Sequence, residues 1–199
     1  MIIDHVDKTI SLKIVYFGPA LSGKTTSIKA LFSLFGKDEE LCSIESTVER
    51  TLFFDYGIVT FQNEDWRLKI HIYTTTGQDF YMITRLTTLR AVDGIIFLLD
   101  SHKEVFERNL ISWKELLSYF NESIETFPIL ITFNKQDLGL ELKFNPENFL
   151  NEIASHKYKN IKSRYTSAIN GEGVLECFED ILQLVLKKYF RQKLVSVIL

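Results

Sequence analysis

Short apolar runs alternate with amphipathic stretches along this chain. Leu12-Lys13-Ile14-Val15-Tyr16-Phe17, Ile95-Ile96-Phe97-Leu98-Leu99 and Ile129-Leu130-Ile131-Thr132-Phe133 are apolar almost throughout. Strands covered on both faces of a parallel sheet carry this pattern. Thr25 to Phe32 reads as a helix, and Glu104 to Phe120 places Phe106, Leu110, Trp113, Leu117 and Phe120 at helical spacing. Leu52 to Phe61 reads as a further strand with Gln62-Asn63-Glu64-Asp65 as its turn. Arg67 to Ile72 then alternates polar and apolar, as a half-exposed antiparallel partner does. Gly36 and the charged residues after it end the first helix, and the polar segment from there to Arg50 reads as a loop. Pro146 marks the first turn of a short helix, Ile161 to Ser167 a last strand, and Gly173 to Leu194 a long final helix.

Met1-Ile2-Ile3 predicts an extra short strand within residues 1–10, paired as a hairpin onto a sheet edge. The strand–helix alternation predicts an α/β fold of three layers: a mostly parallel sheet, with one antiparallel edge hairpin, between two layers of helices. Ligands then bind at the carboxyl ends of the strands. No internal repeat, low-complexity segment or domain boundary interrupts the pattern, so residues 1–199 read as one domain.

Composition narrows the partners rather than the fold. With 23 basic and 26 acidic residues the formal charge is −3, which does not suggest nucleic-acid or anionic-membrane binding. Cys42 and Cys177 lie far apart with no paired spacing, so neither a disulfide framework nor a zinc site is expected. The start, Met1-Ile2-Ile3-Asp4-His5, has no signal-peptide core and no glycine for myristoylation, and no apolar run is long enough to span a bilayer. The chain reads as soluble and cytoplasmic.

One stretch carries recognisable chemistry. Gly18-Pro19-Ala20-Leu21-Ser22-Gly23-Lys24-Thr25 satisfies the phosphate-cradling pattern Gly-x-x-x-x-Gly-Lys-[Ser/Thr], and it lies between an apolar strand and a helix. Glycines let such a loop turn sharply and aim its N–H groups at phosphate oxygens, and the helix N-terminus adds partial positive charge. Gly18, Leu21, Ser22, Gly23, Lys24, Thr25 and Thr26 are therefore nucleotide-binding candidates. Lys24 would reach the β/γ-phosphates and the Thr25 hydroxyl would ligate Mg²⁺. This loop alone leaves ATP, GTP, kinase and motor readings open.

Asn134-Lys135-Gln136-Asp137, directly after a buried strand, favours guanine. A carboxylate there accepts two hydrogen bonds from the guanine edge, which presents an N–H and an exocyclic amine side by side; adenine offers no such pair. Asn134 would tie this loop to the phosphate loop, and the Lys135 stem would cover the base. Thr166-Ser167-Ala168 would offer a backbone N–H to the guanine oxygen.

In this order, the phosphate loop, Asn134-Lys135-Gln136-Asp137 and Ser167-Ala168 resemble the small GTPases of the Ras superfamily. The resemblance is nearest to the MglA-type GTPases of bacteria and archaea. One departure sharpens it: where the superfamily usually has Asp-x-x-Gly-Gln, this chain reads Thr74-Thr75-Thr76-Gly77-Gln78, with threonine in place of the Mg²⁺-holding aspartate. The wording Glu49-Arg50-Thr51-Leu52-Phe53-Phe54-Asp55, His71-Ile72-Tyr73-Thr74 and Val92-Asp93-Gly94 points the same way.

The resemblance implies a switch that binds GTP and GDP with Mg²⁺ and hydrolyses GTP slowly. It implies Thr51 as a second Mg²⁺ ligand, Gln78 as the residue orienting water, Arg50 as an arginine finger supplied in cis, and Gly77 among the nucleotide contacts. It also implies a Roadblock-domain regulator on the switch face. A guanine-nucleotide-dependent scaffold with negligible turnover is the alternative, favoured by Thr74. Asp100 is expected to cap its turn or to supply the carboxylate that Thr74 lacks. His71, Trp66 and Trp113 read as structural, and Phe80-Tyr81 as either partner-facing or core. The apolar ending Leu194 to Leu199, without a prenylation cysteine, leaves packing, partner docking and peripheral membrane contact open.

Overall fold

The computed structural model describes residues 1–37, 42–44, 54–75 and 82–198. Within them, eight strands form one sheet: β1 (Ile2–Asp4), β2 (Thr9–Phe17), β3 (Cys42–Ile44), β4 (Phe54–Gln62), β5 (Arg67–Thr74), β6 (Gly94–Asp100), β7 (Ile129–Asn134) and β8 (Ile161–Tyr165). Five α-helices accompany them: α1 (Lys24–Leu34), α2 (Met82–Leu89), α3 (Phe106–Phe120), α4 (Pro146–Glu152) and α5 (Val174–Ile198).

The spatial order is β3-β4-β5-β2-β6-β7-β8. The pairs β2–β5, β2–β6, β6–β7 and β7–β8 are parallel, and the expected hairpin β4–β5 is antiparallel. Why the central runs are apolar on both parities follows from the layers. Leu12, Ile14, Tyr16, Ile96, Leu98 and Leu130 face one apolar layer with α1 and α5 (Ile28, Leu31, Phe32, Phe178, Ile181). Val15, Phe17, Ile95, Phe97, Leu99, Ile129, Ile131 and Phe133 face the other with α3 and α4 (Leu110, Trp113, Leu116, Phe149). β5 alternates in burial, as its sequence requires of a strand nearer the edge.

Two expectations need correction. β1 pairs with β2, but β2 is a central strand, not an edge. Residues Thr9 to Ser11 of β2 lie ahead of Ile14, where pairing with β6 begins, so β1 occupies that otherwise open stretch. The segment between α1 and Arg50 is not all loop, because β3 pairs antiparallel with β4.

Helix ends follow their sequence signals. Gly36 N–H donates to Ser33 and Lys37 N–H to Phe32, each at 2.9 Å, closing α1 as a glycine-terminated helix. Asn145 Oδ1 accepts from Glu147 N at 3.0 Å, with Pro146 in the first turn of α4.

After β2 the chain crosses first toward β5 and later toward β6, so it departs in opposite directions around one strand end. That reversal leaves a crevice at the carboxyl end of β2, where open α/β sheets bind ligands.

Candidate functional site: a guanine-nucleotide crevice

The phosphate loop leaves β2 at Gly18 and enters α1 at Lys24. Its two glycines are required by space and conformation together. Gly23 has φ 100°, and a Cβ there would lie 2.3 Å from Asn134 Nδ2; a Cβ on Gly18 would lie 2.2 Å from the Leu98 carbonyl oxygen. Lys24 is buried and its ammonium donates to the carbonyls of Gly18 at 2.9 Å and Pro19 at 2.7 Å. Burial, and secondarily the guanidinium of Arg85, pull its pKa down from 10.5 to about 7. An anion in this cradle would restore the charged form. Ser22 is buried, while Leu21, Thr25 and Thr26 are exposed at the mouth.

Thr25 meets a carboxylate that sequence reasoning did not assign. Its hydroxyl donates to Asp55 Oδ2 at 2.6 Å. The Thr74 hydroxyl donates to the same oxygen at 2.9 Å and accepts from Asp55 N at 2.8 Å. The register of β4 against β5, with Tyr56 opposite Tyr73, brings Asp55 and Thr74 together. Thr74 thus orients a carboxylate supplied by the neighbouring strand. Hydroxyl and carboxylate oxygens converging at a phosphate cradle suit a hard divalent cation such as Mg²⁺. The sequence signals for Asp55 were its place at the end of the Glu49 to Asp55 wording and a carboxylate within a largely apolar strand.

Asp100 is not that carboxylate. Its Oδ1 caps the turn, accepting from His102 N at 3.0 Å, and its Oδ2 pairs with Lys135 Nζ at 2.6 Å. The pair fixes Lys135, whose backbone is left-handed at φ 65°.

The base side is joined to the phosphate side by one side chain, as expected. Buried Asn134 donates from Nδ2 to the Ser22 carbonyl at 2.8 Å. Its Oδ1 accepts from the Thr166 hydroxyl at 3.0 Å and from Ala168 N at 2.9 Å. Of the Thr166-Ser167-Ala168 stretch, expected to offer a backbone N–H to the guanine oxygen, Thr166 N–H donates to the Phe133 carbonyl, Ser167 N–H to the Glu172 carbonyl and Ala168 N–H to Asn134 Oδ1. Asp137 is exposed at the mouth, and its Oδ1 accepts from the buried Ser167 hydroxyl at 2.7 Å. Gln136 braces the loop from behind, donating to the Ser101 hydroxyl at 2.9 Å, while Lys143 donates to the Gln136 carbonyl.

Arg50, Thr51, Gly77, Gln78, Phe80 and Tyr81 lie outside the described residues. The residues read as structural behave so. Tyr56 OH and His71 Nδ1 share a hydrogen bond at 3.0 Å, Trp113 is buried, and Trp66 packs edge-on against His5.

A phosphate loop at the head of a parallel sheet, joined by Asn134 to the loop that follows β7, defines a P-loop nucleotide-binding domain. The family model described as Ras family matches residues 13–187. The chain belongs to the Ras family of small GTPases. It is 30% identical over 190 residues to the mutual gliding-motility protein MglA of Myxococcus xanthus (strain DK1622), covering 92% of this chain and 95% of that protein. It is 24% identical to Ras-related protein Rab-32C of Dictyostelium discoideum, covering 94% and 79%. To Ras-related protein Rab-13 of Rattus norvegicus it is 25% identical, covering 88% and 80%. The protein is thus a small GTP-binding switch with GTPase activity. Among the described residues, no helix is long and apolar enough to cross a membrane.

Proposed function

We propose that the switch works through Mg²⁺ and two loops. The observation that carries this reading is the single crevice in which the Lys24 cradle, the Thr25–Asp55 oxygens and the Asn134–Asp137 loop are held together. Thr25 and, with GTP, Thr51 would hold Mg²⁺, which would supply positive charge to the nucleotide phosphates. Asp55, oriented by Thr74, would add a carboxylate beside those ligands. Lys24 binds the phosphates and Asp137 reads the base, with Ser167 and Ala168 beside it. Gln78 orients the attacking water, and Arg50 acts in cis on the negative charge that develops as the phosphoryl group transfers.

Loss of the γ-phosphate releases the segments around Arg50–Thr51 and Gly77–Gln78, which report nucleotide state to partners. A Roadblock-domain regulator would bind that face, and the protein would act in the cytoplasm in polarity, motility or trafficking, with residues 1–199 as one G domain; the name of the gliding-motility relative supports motility. The test is single-turnover GTP hydrolysis by wild type, Arg50→Ala and Gln78→Leu. Both substitutions should cut the rate by orders of magnitude while GTP binding persists. GTP that binds tightly yet stays intact in all three would favour the scaffold alternative.

A further inference from the structure

Lys135 is a lysine in a conformation that favours glycine. Its φ of 65° lies in the left-handed region, which costs a residue with a side chain backbone energy unless its surroundings hold it there. The backbone on either side is pinned. Asn134 ties the loops together, Gln136 N donates to the Thr166 carbonyl at 3.0 Å, and Leu138 N donates to the Lys135 carbonyl at 3.2 Å. Glycine or asparagine would adopt this turn with less strain, so what lysine adds here is its side chain.

That side chain is held at its far end. Its ammonium meets Asp100 Oδ2 at 2.6 Å, and the Asp100 side chain is only 9% exposed, against 34% for Lys135. Asp100 is itself fixed. Its Oδ1 accepts from His102 N, while its own N–H and carbonyl are both bonded to the side-chain amide of Asn109, at 3.2 and 2.8 Å. Asn109 is fully buried on α3. Asp100 lies opposite Asn134 at the carboxyl ends of β6 and β7. Two residues earlier, the Leu98 carbonyl oxygen is the atom that a Cβ on Gly18 would strike. The stem of Lys135 therefore spans the ends of two strands beside the phosphate loop, with both of its ends anchored.

A long, free lysine stem samples many rotamers, and a ligand that used it as a wall would have to order it on binding. An ion pair that already holds the amine places that cost in folding instead. We propose that Asp100 is a positioning residue for nucleotide binding: by holding the Lys135 ammonium it lays the lysine stem along the crevice as a preformed wall for the base. The inference rests on the reading of Asn134 to Asp137 as the base loop, with the Lys135 stem over the base. Its signature is coupling. Loss of the Asp100 charge weakens GDP binding only while Lys135 has an amine to be held.

The experiment measures GDP affinity by calorimetry at saturating Mg²⁺ for wild type, Asp100→Asn, Lys135→Met and the double variant. Asparagine keeps an oxygen for His102 N and loses the charge; methionine keeps an apolar stem and loses the amine. Asp100→Asn should raise the Kd for GDP by about three- to tenfold, the scale of one long side chain left to be ordered on binding. Lys135→Met should raise it at least as much, and adding Asp100→Asn to Lys135→Met should change it by less than about 1.5-fold. An equal rise from Asp100→Asn in both backgrounds overturns the inference, since Asp100 then acts on the fold and not through Lys135. A raised Kd in Lys135→Met beside an unchanged one in Asp100→Asn sinks this inference alone and leaves Lys135 at the base. If Lys135→Met binds GDP as wild type does, Lys135 does not cover the base, and that reading falls together with this inference. Should Asp100→Asn fail to fold, Asp100→Ser, whose hydroxyl can also accept from His102 N, takes its place under the same criteria.

Discussion

Replacing Asp137 by asparagine should change which base the crevice accepts. The carboxylate is held in place from one side only, by the Ser167 hydroxyl at 2.7 Å, and its remaining lone pairs face the mouth. An asparagine oxygen can still accept from Ser167, so the loop keeps its geometry. What changes is the outward pattern: on the proposed reading the carboxylate would accept twice from guanine, whereas the amide would accept once and turn an N–H₂ toward the exocyclic amine. Asp137 is exposed when the crevice is empty, so each charge-assisted bond is taken at the low end, about 1.5 kcal/mol. Losing one bond outright and the charge assistance on the other amounts to about 2 kcal/mol, roughly a 30-fold rise in the Kd for GTP. Xanthine carries an oxygen where guanine has its amine, so xanthosine triphosphate should overtake GTP on the variant. Displacement of a fluorescent GDP analogue measures both. If Asp137→Asn binds GTP within about threefold of wild type and gains nothing for xanthosine triphosphate, Asp137 does not read the base.

The remaining predictions concern charge at the phosphate end. Asp55→Asn keeps an oxygen for Thr25 and Thr74 but removes the charge. The Mg²⁺ concentration needed to retain GDP should then rise by about tenfold or more, read as GDP release across a Mg²⁺ titration; an unchanged requirement would place Asp55 away from the ion. Lys24, with its pKa lowered from 10.5 to about 7, binds fewer protons in the folded empty state than unfolded across that interval. Stability of the nucleotide-free protein should therefore rise as pH increases through this window, and GTP binding near pH 8 should take up about one proton. Calorimetry in buffers of different ionisation enthalpy would detect the uptake, and binding heats independent of buffer would refute it.

The parts legible in the sequence were those governed by local pattern. The apolar runs of β2, β6 and β7 announced strands covered on both faces, and the Asn134 cross-tie followed from knowing where two loops must meet. What escaped depends on register and pairing between distant segments. β3 is three residues in a polar segment, too short for any period to show. β1 was expected at an edge because sequence shows that a hairpin forms but not that β6 starts late along β2. Asp55 is invisible as a site residue until β4 and β5 are aligned, since only the tertiary register sets it beside Thr74 and Thr25. Asp100 was rightly seen as a turn cap, yet its bond to Lys135 joins residues 35 positions apart. Arg85 sat unremarked in an amphipathic helix because burial of a charge cannot be read without its partner.

Asn134 also constrains how nucleotide leaves. Its amide is anchored at once on the carbonyl of Ser22 and on Thr166 and Ala168, so the floor under the phosphates and the wall beside the base share one fastener. A protein that levers either loop outward pulls on the other through that amide. Loss of nucleotide is then expected as a single cooperative event rather than as separate departures of base and phosphates.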